Sequence, residues 1–266
     1  MEITTSNFKI KTSKLILLLM LITCWAQAQT EAGDINWKKW QIDIPVNGKS
    51  KIIEGKAIKK ALSSGAYNDY FKQNSNKTIE LISGQKLRSN TGDAESRGFS
   101  SSELVEIYHS KSNDYSSYWT NSGTHVLSAR LKAYKAEGSP ETYLARILSA
   151  DKSGTFDKMR LIWDNGILSV EYIDGAPADR RYSKKQIGKV DENMFTLTVK
   201  MISGDLSLSI KCKKAGLDIK NMLVANYVNT EYSHNLFRIG NCFNYSKSID
   251  DGVKVQLKYV QLMHKK

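Results

Sequence analysis

Apolar and polar residues alternate along most of the chain, the pattern of β-strands with one buried face. In THVLSARLKA, Leu127, Ala129 and Leu131 share one face, and the other face is polar. KMRLIWDNGILSVEYID and MFTLTVKMISGDLSLSIK each hold two such runs around a glycine-containing turn, which predicts two antiparallel hairpins. The closing segment GVKVQLKYVQL alternates in the same way. Antiparallel strands joined by short turns therefore dominate the prediction.

Only two short segments favour helix, residues 56–65 and 215–223. Strands without the helix spacing of βαβ units indicate an all-β fold. We expect two packed antiparallel sheets of the jelly-roll type, with a concave groove for an extended ligand. The sequence has 266 residues and only three prolines, and it shows no low-complexity linker. Residues 29–266 are therefore predicted to form a single domain.

The N-terminal segment has the pattern of a secretory signal peptide. Lys9, Lys11 and Lys14 precede the apolar run LILLLMLI, which is too short to span a bilayer, and AQA follows at positions 26–28. We expect residues 1–28 to be removed and the protein to be secreted or periplasmic. The alternative is a lipoprotein anchored through Cys24. No later stretch is long and apolar enough to predict a membrane span.

The chain is strongly basic. Removing residues 1–28 takes away three lysines and one glutamate, so the formal charge falls from +12 to +10. Such a surface attracts polyanions, although the cations are spread along the chain and could also serve solubility alone. Cys212 and Cys242 are too few for a disulfide framework, and no metal-ligand spacing occurs. We expect no metal, no cofactor and no nucleic-acid partner, and a monomeric protein.

The strand SHNLFRIGNCFN, residues 233–244, has two different faces. The period of two assigns Phe237, Ile239 and Phe243 to a core. The opposite face is mixed in chemistry, and its members are Leu236, Arg238, Gly240, Cys242 and Asn244. Alternation alone does not say what this second face contacts.

Six segments, taken in order, resemble polysaccharide lyase family 7, the alginate lyases. They are INWKKWQIDIPVNGKS, SSSELVEIY, YWTNSGTHVLSARLKA, ETYLARILSADKSG, LFRIGNCFN and VKVQLKYVQLMH. The resemblance covers nearly all of the chain after residue 28. It implies a jelly roll that removes the proton alpha to a uronate carboxylate and expels the neighbouring glycosidic oxygen. It also implies that the second face of residues 233–244 lines the substrate groove.

The chain departs from the family at most of the positions that this resemblance aligns with catalytic residues. On the first strand Glu103 stays, while the family's two arginines fall on Ser101 and Val105. The glutamine and histidine of the second strand fall on Arg146 and Leu148. On the third strand the family's residues fall on Leu236, Arg238, Cys242 (for the catalytic tyrosine) and Asn244. The resemblance therefore implies a substrate-binding surface that includes Ser101, Glu103, Leu148 and Asn244.

Catalysis by β-elimination needs a cation for the carboxylate, a base and an acid. Arg146 and Arg238 are predicted to bind the carboxylate, because a guanidinium suits bidentate binding. Cys242 could transfer a proton only if nearby arginines lowered the pKa of its thiol. Tyr245, which a bulge could turn into the groove, and His234, on the face of Arg238, are further catalytic candidates. By its parity His125 is predicted at the edge of the core, and His109 and His264 are predicted to be solvated.

Two functions of different classes follow. The first is a secreted lyase-like enzyme that cleaves an acidic polysaccharide such as alginate with a rearranged proton-transfer set. The second is a carbohydrate-binding jelly roll that keeps the groove but has lost turnover. An adhesin or envelope protein of the same fold is a weaker third. The fold does not decide between them, because function depends on the site.

Overall fold

The computed structural model describes nine stretches of the chain. They are residues 35–47, 49–83, 99–108, 118–134, 141–151, 154–174, 181–228, 234–244 and 253–266. The predicted signal peptide, Cys24, His109 and Tyr245 lie outside the described residues.

Fifteen strands and one helix form along these stretches. In chain order they are β1 (Trp40–Val46), β2 (Lys49–Glu54), α1 (Gly55–Ser64), β3 (Phe71–Gln73), β4 (Ile79–Ser83), β5 (Phe99–Glu106), β6 (Thr124–Tyr134), β7 (Thr142–Asp151), β8 (Gly154–Asp164), β9 (Ile167–Asp174), β10 (Arg181–Lys189), β11 (Phe195–Ile202), β12 (Asp205–Cys212), β13 (Leu217–Asn226), β14 (His234–Asn244) and β15 (Val253–Lys265).

The strands form two antiparallel sheets, which confirms the predicted jelly-roll class. Sheet A has the order β10-β9-β8-β7-β14-β5-β1-β2, and sheet B has the order β13-β12-β11-β6-β15-β4-β3. Both predicted hairpins are present, as β8 with β9 and β11 with β12. At the first of these turns, Asn165 and Gly166 both have positive φ, which matches the right-handed twist of the strands.

One predicted helix is confirmed and the other is wrong. Helix α1 covers nearly all of residues 56–65 and buries Ile58 and Ala61. Residues 217–226, by contrast, form edge strand β13, which pairs with β12 from Cys212 opposite Leu217. Pairing with an existing strand satisfies backbone groups along this segment, so tertiary context overrides its weak helical pattern.

The hydrophobic core lies between the two sheets and is formed by the apolar faces of their strands. Leu127, Ala129 and Leu131 of β6 are fully buried, as the alternation predicts. Phe237 and Ile239 of β14 are also fully buried in the core cluster. The core face of strand 233–244 is therefore confirmed at these two positions, while the side chain of Phe243 lies outside the described residues.

Candidate functional site

The candidate site lies on the face of sheet A that points away from sheet B, called here the outer face of sheet A. Four neighbouring strands, β7, β14, β5 and β1, bring its central residues together. Arg238 of β14 lies opposite Arg146 of β7 on one side and Val105 of β5 on the other. Glu103 of β5 lies opposite both Gly240 and Asp43. Strand register thus places Arg146, Arg238 and Glu103 in one cluster, as the sequence predicts.

Gly240 allows this close packing. Its φ is +153°, and a Cβ there would lie 2.6 Å from the carbonyl oxygen of Ser102 and 2.8 Å from the Cα of Glu103. A side chain at this position would push β14 away from β5. The pairing of β14 with β7 is also irregular between Ile239 and Cys242. The glycine therefore keeps Glu103 within reach of the arginines on both sides of it.

Both arginines of the cluster already hold carboxylates. Arg146 donates from Nε to Glu103 Oε1 at 3.0 Å and from Nη2 to Glu103 Oε2, and its Nη1 lies 3.1 Å from Asp157 Oδ1. Arg238 donates from Nη2 to Asp43 Oδ2 at 2.6 Å, and its Nε lies 3.1 Å from Glu103 Oε2. The two guanidinium groups are thus neutralised by the protein itself.

These contacts belong to a continuous chain of ion pairs across sheet A, called here the ionic row. Beyond Asp157 the row continues to Arg160 (2.9 Å), Glu171 (3.5 Å), Lys184 (3.8 Å) and Glu141 (2.8 Å). Its order is Asp43, Arg238, Glu103, Arg146, Asp157, Arg160, Glu171, Lys184 and Glu141. Five carboxylates and four cations alternate, so the row has a net charge of −1. It offers no surplus of positive charge to a uronate polymer.

Glu103 is the most buried member of the row, with no exposed side-chain surface. Burial alone would raise the pKa of its carboxyl group, but Arg146 and Arg238 outweigh that effect, and the pKa is lowered to about 2. Ser101 is half-buried and also donates to Glu103, from Oγ to Oε2 at 2.8 Å. Glu103 is therefore ionised at neutral pH and holds both arginines in place.

Cys242 does not meet the condition set for a catalytic thiol. It is 2% exposed and packs against Tyr143 and Ile162. Burial raises the pKa of its thiol to about 12, although Arg146 and Arg238 act in the opposite direction. Burial also raises the pKa of the neighbouring Tyr143. A thiol with this pKa is protonated at neutral pH, so the lowered pKa needed for proton transfer is not found.

The thiol of Cys242 should accordingly resist modification in the folded protein. In a Cys212→Ser variant of protein beginning at Gln29, which lacks Cys24, an aromatic disulfide reagent at pH 8 should react slowly in buffer and completely in urea, because the thiolate is the reacting form. Rapid stoichiometric labelling in buffer would contradict the burial of this residue. Both Cys212 and Cys242 are free thiols in the structure.

The other predicted site residues are distributed along the same face. Leu148 of β7 is half-buried opposite Leu236 of β14, which is 5% exposed. These two leucines form an apolar patch at one end of the candidate site, next to the two arginines. His234 is half-buried at the start of β14, four residues from Arg238 and thus ~13 Å away along the strand. The side chains of Asn244 and Tyr245 lie outside the described residues, so their proposed roles stay predictions.

The sequence reasoning missed the acidic half of the row beyond Glu103. Asp43 alternates with the buried Trp40, Ile42 and Ile44 of β1, and this parity could have placed it on the outer face. The outward position of Asp157 could not be predicted, because the pairing of β7 with β8 is irregular between Ile147 and Leu148. An alternating pattern does not reveal such a bulge.

A second polar cluster lies away from the ionic row. His264 Nε2 is 2.6 Å from Glu106 Oε1, and its Nδ1 is 2.8 Å from Nδ1 of His125. Trp119 Nε1 donates to Glu106 Oε2 at 2.9 Å. His264 is therefore paired, and the prediction that it is solvated is wrong. Strand β15 continues to Lys265, so His264 lies within the sheet opposite His125. The predicted core-side position of His125 is confirmed, and it is 3% exposed.

Comparison with known proteins identifies the family. The alginate lyase family model matches residues 34–264. The chain belongs to the alginate lyase family, polysaccharide lyase family 7. This confirms the resemblance drawn from the sequence. A search of curated proteins found no match.

Solved structures of this family share the fold at low sequence identity. The alginate lyase from Corynebacterium sp. is 18% identical, with a TM-score of 0.64 over 87% of this chain and 96% of its own. The alginate lyase from Klebsiella pneumoniae is 12% identical, with a TM-score of 0.68 over 89% and 99%. A Tyr-to-Phe variant of family 7 alginate lyase A1-II′ in complex with its product GGG is 14% identical, with a TM-score of 0.68 over 89% and 100%. These neighbours support the jelly-roll architecture.

Membrane-spanning helices and clusters of metal-ligating side chains are both absent from the described stretches. Within them, no helix has both the length and the apolar character needed to cross a membrane. In the same stretches, no group of three or more histidine, cysteine, aspartate or glutamate side chains could hold a metal ion.

Proposed function

We propose that this member of the alginate lyase family binds an acidic polysaccharide and does not cleave it by β-elimination. The observation that supports this is the ionic row. Arg146, which the resemblance aligns with a catalytic glutamine, is paired with Glu103 and Asp157. Leu148 and Cys242, which the resemblance aligns with the catalytic histidine and tyrosine, offer no group that exchanges a proton near neutral pH.

Three findings support an acidic polysaccharide as the ligand. The chain belongs to the alginate lyase family, and a structural neighbour of the same fold is described with its product bound. The formal charge of +10 on residues 29–266 also favours polyanions as partners. The N-terminal pattern supports a further proposal, that the protein is exported after cleavage behind Ala28.

The experiment measures cleavage and binding on the same panel of polymers. Protein beginning at Gln29 is incubated with alginate, polyguluronate, polymannuronate and glucuronan, and ultraviolet absorbance reports unsaturated sugar ends. Affinity electrophoresis in gels containing each polymer reports binding, with neutral dextran as the control. We expect no increase in absorbance and retardation by at least one uronate polymer but not by dextran.

Each readout addresses one half of the proposal. A steady rise in absorbance with any polymer would contradict the absence of cleavage and support the lyase hypothesis, with proton-transfer residues outside the described stretches. Equal mobility in all gels would contradict the binding role.

A further inference from the structure

The charge of the molecule is divided unequally between its two sheets. The ionic row of sheet A has a net charge of −1, whereas the chain as a whole is strongly basic. The face of sheet B that points away from sheet A is called here the outer face of sheet B, and at the paired positions of its described strands it holds seven cations and three carboxylates. The cations are Lys72, Arg130, Lys132, Lys200, Lys211, Lys254 and Lys265, and the acids are Glu80, Asp205 and Asp218.

The alternation of the strands establishes which side chains point outward. In β6 every second residue from His125 to Ala133 is buried, so Arg130 and Lys132 lie on the opposite face. The same alternation in β11 and β12 turns Lys200 and Lys211 outward. Strand pairing then puts Lys211 and Arg130 on either side of Thr196 in one row across the sheet.

Few carboxylates compensate these cations. Arg130 forms no ion pair within the stretches that the structure describes. Lys211 is 3.9 Å from Asp218, and both side chains are about half exposed (56% and 45%), so solvent screens this contact. Lys200 donates to the neutral side chain of Asn221. On sheet A, by contrast, every arginine of the ionic row has a carboxylate within 3.1 Å.

The surface between the cations carries hydroxyl and amide side chains, some of which also bond within the sheet: Ser209 Oγ accepts from the backbone N–H of Asn221 at 2.9 Å, and Ser128 Oγ lies 3.5 Å from Thr198 Oγ1. Ser209, Thr198, Ser128 and Gln261 lie side by side on four adjacent strands, so a line of polar side chains crosses the sheet. Neighbouring strands are ~4.8 Å apart, so the line extends for ~14 Å. An extended sugar chain with regular negative charges complements a sheet face that combines a polar line with flanking cations.

We propose that the outer face of sheet B is the surface that binds the acidic polysaccharide, centred on Arg130, Lys200 and Lys211. This inference rests on the proposed function, and it assigns that function to the sheet opposite the ionic row. The polymer carboxylates interact with the exposed cations, and the sugar hydroxyls interact with the polar line. Because these charges are exposed, the binding is sensitive to salt, with screening over about 8–10 Å.

The test compares two triple variants that remove the same charge. The first is Arg130→Gln, Lys200→Gln and Lys211→Gln. The matched control is Lys56→Gln, Lys59→Gln and Lys60→Gln on helix α1, where all three lysines are exposed. Affinity electrophoresis and calorimetry with polyguluronate and polymannuronate measure Kd, and unfolding midpoints show that each variant is folded.

We expect the first variant to raise Kd by about tenfold and the control to change it less than about twofold. Equal losses in the two variants would overturn the proposed surface, because net charge alone would then explain binding. Wild-type affinity in the first variant would overturn it as well, while the binding function itself would stand. If wild-type protein binds no uronate polymer, the proposed function fails and this inference fails with it.

A second ligand tests the class of polymer. A single-stranded oligonucleotide of matched charge should bind more weakly than the uronate polymer. Tighter binding of the oligonucleotide, lost in the first variant, would overturn the polysaccharide as the occupant of this face.

Discussion

Replacing Arg146 with leucine should lower the free energy of unfolding by about 3–5 kcal/mol. Arg146 is 9% exposed and is held by Glu103 and Asp157, which are themselves buried. Removing one partner of a buried ion pair leaves an uncompensated charge in a poorly solvated position. Urea unfolding at pH 7 measures the loss.

Arg130→Leu is the matched control, since it makes the same substitution on an exposed strand position. We expect it to change stability by less than about 0.5 kcal/mol. The double variant Arg146→Leu with Glu103→Gln should be more stable than Arg146→Leu alone, because it removes the buried charge that the single variant leaves without its main partner. Additive losses in the double variant would mean that Glu103 and Arg146 stabilise the fold separately.

The same cluster predicts how wild-type protein responds to acid. The pKa of Glu103 is about 2 in the folded protein, against an ordinary value of 4.5, so the unfolded state binds a proton first as pH falls. The contribution of Glu103 is complete above about pH 4.5 and is lost progressively between pH 4.5 and 2. The difference corresponds to about 3 kcal/mol. Glu103→Gln should remove this part of the acid sensitivity.

Much of the fold could be predicted from the sequence because alternation is a local property. The strands containing Leu127, Phe237 and Val255 show an apolar face that is buried as expected. The family resemblance also placed Arg146, Arg238 and Glu103 on one surface. Their strands β7, β14 and β5 are indeed neighbours in sheet A.

The charge balance of the site could not be predicted in this way. Arg238 pairs with Asp43, which is 195 residues away in the chain, and only the order β14-β5-β1 brings them together. Whether an arginine faces a ligand or a carboxylate depends on such nonlocal pairing. The sequence therefore predicted the cations of the cluster but not their partners.

Lys158 is a position where alternation gives the wrong face. In KMRLIWD it shares parity with Arg160 and Ile162 and should point outward. The irregular pairing of β7 with β8 instead places it in the interior, where it has no exposed surface. Its Nζ donates to Asn121 Oδ1 at 2.8 Å and lies 4.9 Å from the ring centre of Tyr227. Burial lowers its pKa to about 7.

Lys158→Met should therefore raise the free energy of unfolding at pH 7 by a few kcal/mol. The shift from 10.5 to about 7 corresponds to roughly 4 kcal/mol of destabilisation at pH 7, and methionine fits a long, buried apolar site without a charge. Asn121 Oδ1 would keep a hydrogen bond, because Asn235 Nδ2 donates to it at 3.0 Å. Urea unfolding at pH 7 measures the gain.

The pH dependence of stability shows whether the gain comes from removing the buried ammonium group or from better packing of methionine. Between pH 7 and 9.5 the unfolded lysine stays largely protonated while the folded one becomes neutral, so the unfolded state binds more protons at this site, and the contribution of Lys158 to wild-type stability should rise by about 3 kcal/mol. Lys158→Met should lack that rise, and its advantage over wild type should therefore shrink as pH increases. An exposed control, Lys185→Met, should keep the wild-type slope. If Lys158→Met gains the same stability at every pH, the ammonium group is not the source of the cost.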